Sequence, residues 1–166
     1  MAINFSSGAT MAGVGSNSRV GWNGSVVQVV EIQYGSSLST SSTGNVAFFS
    51  GQITLQNANN GIAYYYNTAQ RCDAGDGPWN LGYHNVYCNG TNLAGSSWNG
   101  FTTNTILSYS RMGYYAPGSV GPHTFQIYVF AYPGANVQYN SPGNQGNEGV
   151  AVLRLMEIET YTPSVS

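Results

Sequence analysis

The residue types best suited to chemistry gather between positions 72 and 98. Cys72, Asp73, Asp76, His84 and Cys88 lie there, with Trp79, Tyr83, Tyr87 and Trp98 among them. Asp73 and Asp76, in the run CDAGDG, could serve a calcium loop or an acid/base pair. Asp before Gly is also ordinary turn chemistry, and EF-hand spacing is absent, so a turn is expected. Cys72, His84 and Cys88 with Asp73 are of metal-ligand type, but their spacing matches no standard zinc finger. A nucleophilic pair of Cys88 and His84 lacks a third group to orient it. His123, at a strand start, reads as a packed or capping side chain. The chain is therefore expected to be no enzyme, with no catalytic residue, metal or cofactor. Cys72 and Cys88 could close a disulfide loop contributing roughly 3 kcal/mol, or stay reduced in a bacterial cytosol. Trp79, Tyr83, Tyr87 and Trp98, with Asn80, Asn85 and Asn92, make a candidate ligand loop. Rings that stack and amides that hydrogen-bond suit a sugar, and they equally suit an interface or a pinned loop.

Charge is scarce everywhere. The 166 residues include four Lys+Arg, six Asp+Glu and no lysine, for a net charge of −2. Charged residues make up 6%, against about 25% in an ordinary soluble domain. Four scattered arginines cannot neutralise a run of phosphates, so no nucleic acid is expected as partner. No stretch nears about 18 continuous apolar residues, so no membrane span is expected. The N-terminus lacks a basic and an apolar region, so no secretion signal is read there. A surface with so little self-repulsion suits a protein that packs against copies of itself.

The elements that position these residues read as strands. Helical periodicity is nearly absent, while short apolar runs alternate with turn residues. Residues 1–24 are rich in Gly, Ser and Asn and read as an extended N-terminal arm. Residues 25–166 read as one all-β domain of seven or eight strands, an antiparallel sandwich or a barrel. Strands are expected over 25–34, 45–56, 62–66, 101–112, 123–132, 136–139 and 150–159. A bulge is expected at Ser50-Gly51, and the span 67–100 reads as an irregular connection. Two strands are apolar on both faces. Tyr128, Phe130 and Tyr132 oppose Phe125, Ile127 and Val129, while Met156 and Ile158 oppose Leu153 and Leu155. One face then fills the core and the other meets a neighbouring subunit. Tyr128, Phe130, Tyr132, Arg154, Met156 and Ile158 are the candidate oligomer interface. Arg154 and Glu157 should point to opposite faces, which leaves Arg154 to meet a carboxylate from another strand or subunit, or to snorkel at a rim.

The C-terminal segments, GPHTFQIYVFAY and VLRLMEIE, resemble the C-terminal jelly-roll modules of tailed-bacteriophage virion proteins. Gly121, His123, Thr124 and Phe125, then Leu155, Met156, Glu157 and Ile158, occupy the matching positions. The earlier runs VVQVVEIQYGSS and VAFFSGQITL are similar to that family's first strands. The resemblance implies a β-sandwich of jelly-roll type, a homotrimer in the virion, assembled in the host bacterial cytoplasm. A chain that starts at Met1 with an arm and no shaft is expected to be a capsid decoration or cement protein. It would contact the major capsid protein or other virion proteins at capsomer junctions. The alternative is a receptor- or glycan-binding tip of a tail fibre or baseplate, with a host surface glycan as partner.

Overall fold

The computed structural model describes residues 26–75, 81–100, 106–140 and 150–159. Every regular element among them is a strand: β1 Val26–Tyr34, β2 Leu38–Thr40, β3 Val46–Leu55, β4 Gly61–Gly75, β5 Leu81–Cys88, β6 Thr91–Gly100, β7 Ile106–Tyr115, β8 Gly121–Ala131, β9 Ala135–Tyr139 and β10 Ala151–Ile158. Eight of them form two antiparallel sheets, β1-β10-β4-β7 and β3-β8-β5-β6, and β9 and β2 extend the first along the C-terminal half of β4. The pairs β1–β10, β3–β8, β4–β7 and β5–β6 nest one inside the next. A long hairpin rolled upon itself gives that order, which is the jelly roll expected from the sequence. The proposed arm, residues 1–24, lies outside the described residues.

Period-two alternation decides which side chains enter the core. On β8, Phe125, Ile127, Val129 and Ala131 are buried while Thr124, Gln126, Tyr128 and Phe130 are half-buried on the outer face. Leu153 and Leu155 of β10, with Ile62, Tyr64 and Tyr66 of β4, complete the space between the sheets. Each such aliphatic or aromatic side chain contributes about 1.5–3 kcal/mol by leaving water.

Two expectations are corrected. The span 67–100 is not an irregular loop. β4 runs on to Gly75, and β5 and β6 form a hairpin. Its turn is Asn89-Gly90, with φ of 47° and 82°. Two successive positive φ values match a type I′ turn, whose twist suits a two-residue hairpin and which Asn-Gly favours. The bulge on β3 lies between Ala47 and Phe49 rather than at Ser50-Gly51. It turns both Phe48 and Phe49 into the core. Gly51 serves another purpose: a Cβ there would collide with the side chain of Ile32 on β1.

Candidate functional site

The residues flagged for chemistry are placed mostly out of reach. His84 is fully buried, and its ring stacks on Tyr109 at 3.7 Å between centroids. Its Nε2 donates to Gln70 Oε1 at 2.6 Å, which leaves Nδ1 to accept from the Tyr66 hydroxyl at 3.1 Å. Burial first, and then the Arg111 guanidinium, hold its pKa well below the ordinary histidine range. The imidazole is therefore a neutral structural link between the sheets. Arg111 completes the network by donating to Ser97 Oγ at 2.8 Å, and Ser97 meets the Tyr109 hydroxyl.

Cys72 on β4 and Cys88 on β5 are both buried thiols, so the disulfide considered from the sequence is not formed. They stand on strands of opposite sheets rather than at the ends of a loop. Burial raises the Cys88 thiol to about 11, which removes it as a nucleophile. Among the described residues, no group of three His, Cys, Asp or Glu is gathered to hold a metal. Asp76 and Trp79 lie outside the described residues, as does the side chain of Asp73. His123 packs as expected, with Nε2 on the Ser119 carbonyl at 3.0 Å and Nδ1 beside Asn89 at 3.2 Å.

Of the six residues expected to share one interface, four divide between two opposite surfaces. Tyr128 and Phe130 face outward from the β3-β8-β5-β6 sheet. Arg154 and Met156 face outward from the β1-β10-β4-β7 sheet. Two are removed from the set. Ile158 is already buried within its own chain, and Tyr132 packs against the core just past the end of β8.

On the second of these surfaces, cross-strand register aligns two rows. Val29, Met156, Ala63 and Tyr114 stand side by side, and next to them Glu31, Arg154, Tyr65 and Met112. Arg154 does meet a carboxylate from another strand: its Nε lies 3.0 Å from Glu31 Oε2. A hydrogen bond from Gln33 and then those from Arg154 hold the Glu31 carboxyl below its usual range. Around this ion pair Val29, Met112 and Tyr114 are 53%, 78% and 44% exposed. None of these three, nor Tyr65, is evident from the sequence, because only strand pairing reveals that they share a face with Met156.

The other outward surface brings the two expected aromatic sets together. Tyr83 stacks on Phe130, with centroids 4.4 Å apart and planes within 2°. Tyr87 meets Tyr128 edge to face at 5.1 Å. Trp98, the cross-strand partner of Tyr83, is 58% exposed. So Tyr83, Tyr87 and Trp98, three of the residues expected on a ligand loop, stand instead on the β5–β6 hairpin, next to Tyr128 and Phe130 from the expected interface. Asn45, absent from the sequence reading, ties the patch together. It donates to the Tyr87 hydroxyl at 3.2 Å and accepts from Asn85 Nδ2 at 2.8 Å. Beneath the stacked pair, the Tyr139 hydroxyl reaches across from β9. It donates to the Phe130 carbonyl at 2.6 Å and accepts from the Tyr83 N–H at 3.1 Å.

No protein-family model matches the chain, and no curated protein matches its sequence. Solved structures of similar shape include the shell protein of the T13 infectious bursal disease virus particle, at TM-score 0.45 and 12% identity, over 79% of this chain and 37% of that one. The EclA C-terminal domain, a sugar-binding protein, is similar at TM-score 0.37 and 12% identity, over 88% and 89%. The enzymatically active domain of bacteriophage CBA120 tailspike protein 4 is similar at TM-score 0.31 and 12% identity, over 78% and 20%. The chain thus spans little more than a third of the viral shell protein. At these scores and identities no function passes from those proteins to this one.

Proposed function

We propose that the chain is a non-catalytic structural protein of a virion that assembles with copies of itself, and that copies meet through the outer face of the β1-β10-β4-β7 sheet. One observation carries this reading: the apolar rows with Val29, Met112 and Tyr114 exposed beside Met156. Contiguous exposed apolar side chains with a polar rim are the mark of an association surface. The central Glu31–Arg154 pair supplies register and orientation rather than affinity. A homotrimer decorating or cementing capsomer junctions is the form we favour. The virion setting rests on the likeness of the C-terminal strands to phage jelly-roll modules, and the non-catalytic role on the burial of His84 and both thiols.

Sedimentation at micromolar concentration tests the assembly. The native chain should run as an oligomer, and Met112→Glu, which places a charge at the most exposed point of the face, should run as a folded monomer with an unchanged circular dichroism spectrum. A folded monomer from the native chain would refute the reading. Copy number in purified particles then separates hundreds of shell copies from the few tens expected of a tail.

A further inference from the structure

The outer face of the β3-β8-β5-β6 sheet has properties that assembly through the opposite sheet does not use. The four strands, Val46–Leu55, Gly121–Ala131, Leu81–Cys88 and Thr91–Gly100, contain no Asp, Glu, Lys or Arg. Their two histidines are both buried. Aromatic rings flanked by uncharged amides and hydroxyls remain. One face of the Tyr83 ring lies on Phe130, and the other looks toward β6, where Trp98 is its partner and stands exposed. Between Tyr83 and Tyr87 on the same strand, Asn85 is 4% exposed, and its Oδ1 has no hydrogen-bond partner. Its amide nitrogen is already committed to Asn45. A buried acceptor left unpaired is costly, and a donor that reaches it recovers that cost.

We infer that this face binds a neutral saccharide, with a pyranose ring lying against Trp98 and the Tyr83–Phe130 pair. The C–H faces of a pyranose ring are apolar and flat enough to rest on aromatic rings, while its hydroxyls both donate and accept. A ring hydroxyl can donate to Asn85 Oδ1, and others can exchange hydrogen bonds with Asn45 and Gln126. This is the division of labour common in small-molecule sites, where apolar surface supplies area and a few polar groups fix orientation. The absence of any cation on the sheet gives no purchase to sialylated or sulfated sugars, so the ligand is uncharged. The Tyr139 hydroxyl, bonded to the backbone beneath Tyr83 and Phe130, keeps the stacked pair in place without a ligand. Such preorganisation lowers the ordering cost of binding.

An array carrying neutral and anionic glycans should show binding to a subset of the neutral ones alone. Calorimetry with the best neutral oligosaccharide should then show at least a tenfold loss for Trp98→Ala and for Tyr83→Ala. Because Trp98 is exposed, Trp98→Ala should keep the native thermal midpoint and sedimentation, which separates a binding defect from a folding defect. Met112→Glu should retain native saccharide affinity per chain, so this inference can stand or fall apart from the assembly. Failure to bind any neutral glycan, binding confined to anionic ones, or undiminished affinity in both aromatic variants would overturn it. Dissociation of the oligomer by Trp98→Ala would also overturn it, and would assign the face to a second copy.

Discussion

His84 shows how a single buried ring sets the behaviour of the molecule in acid. In the folded chain Tyr66, Gln70, Tyr109, Tyr139 and Arg111 surround it, and none can accept a charge-assisted bond at Nδ1 while Tyr66 donates there. Its folded pKa lies well below the value near 6.5 of an unfolded chain. Above pH 6.5 both states are neutral, and the residue contributes no pH dependence. Below it the unfolded chain takes up a proton that the folded chain refuses, so stability falls by up to about 1.4 kcal/mol per pH unit until the folded pKa is reached. Urea unfolding between pH 8 and pH 5 should show this loss, and His84→Gln should flatten it; an unaltered slope in the variant would contradict the assignment. Glu157 works in the opposite sense. Burial alone would raise its carboxyl, but hydrogen bonds from Gln28, Asn60 and the backbone of Gln56 and Asn57 outweigh that and hold it low. Its contribution is present above the unfolded carboxylate value and is lost as pH falls through the lower folded one. From sequence His84 reads as a metal ligand or as the partner of Cys88 in a nucleophilic pair. What it does is fixed by Gln70 and Tyr109, distant in the chain, which no local pattern announces.

At the scale of elements, glycines and rings fit β4 to β7. A Cβ on Gly113 would enter the ring of Tyr64, its cross-strand partner on the inner face, and a Cβ on Gly61 would enter the ring of Tyr114 on the outer face. Tyr64 is buried and cannot swing aside. Gly113→Ala should therefore destabilise by about 1–3 kcal/mol, the usual cost of overpacking. Gly35→Ala, with open space around the new methyl, should stay within about 0.5 kcal/mol. Chemical denaturation of the two variants side by side checks both values. The strands that alternate cleanly were legible in the sequence: β8 shows the expected division of Phe125, Ile127 and Val129 from Tyr128 and Phe130. The second half of β4 was not legible, because NTAQRCDAG is polar and its inward positions include Thr68 and Gln70. The β5–β6 hairpin did carry a signal. Asn89-Gly90 is the dipeptide that a two-residue turn prefers, but the strands it joins do not alternate cleanly, since β5 is buried at most of its positions.

For the whole molecule, the two outward surfaces are chemically distinct. The outer face of one sheet carries Glu31, Arg154 and Arg71; the strands of the other contain no charged residue. That asymmetry suits the assembly proposed for the first face and the neutral saccharide proposed for the second. The general architecture was legible from strand spacing, and the division of Tyr128 and Phe130 from Arg154 and Met156 between opposite surfaces was not, since it depends on which strands pair. The same wrapping makes folding dependent on distant contacts, because β1 finds its partner only in β10. Refolding from urea should accordingly take milliseconds to seconds, as for other sandwiches dominated by non-local pairing; a microsecond phase carrying the full amplitude in stopped-flow fluorescence would contradict this. Pairing of the first strand with the last has a mechanical consequence too. Val26 stands opposite Ile158, so both ends of the sandwich leave from one corner. Tension applied at those ends would unzip the ladder one bond at a time instead of shearing all its bonds at once. The domain therefore bears load best when it crosses the broad sides of the sandwich, and worst when it is applied at Val26 and Ile158.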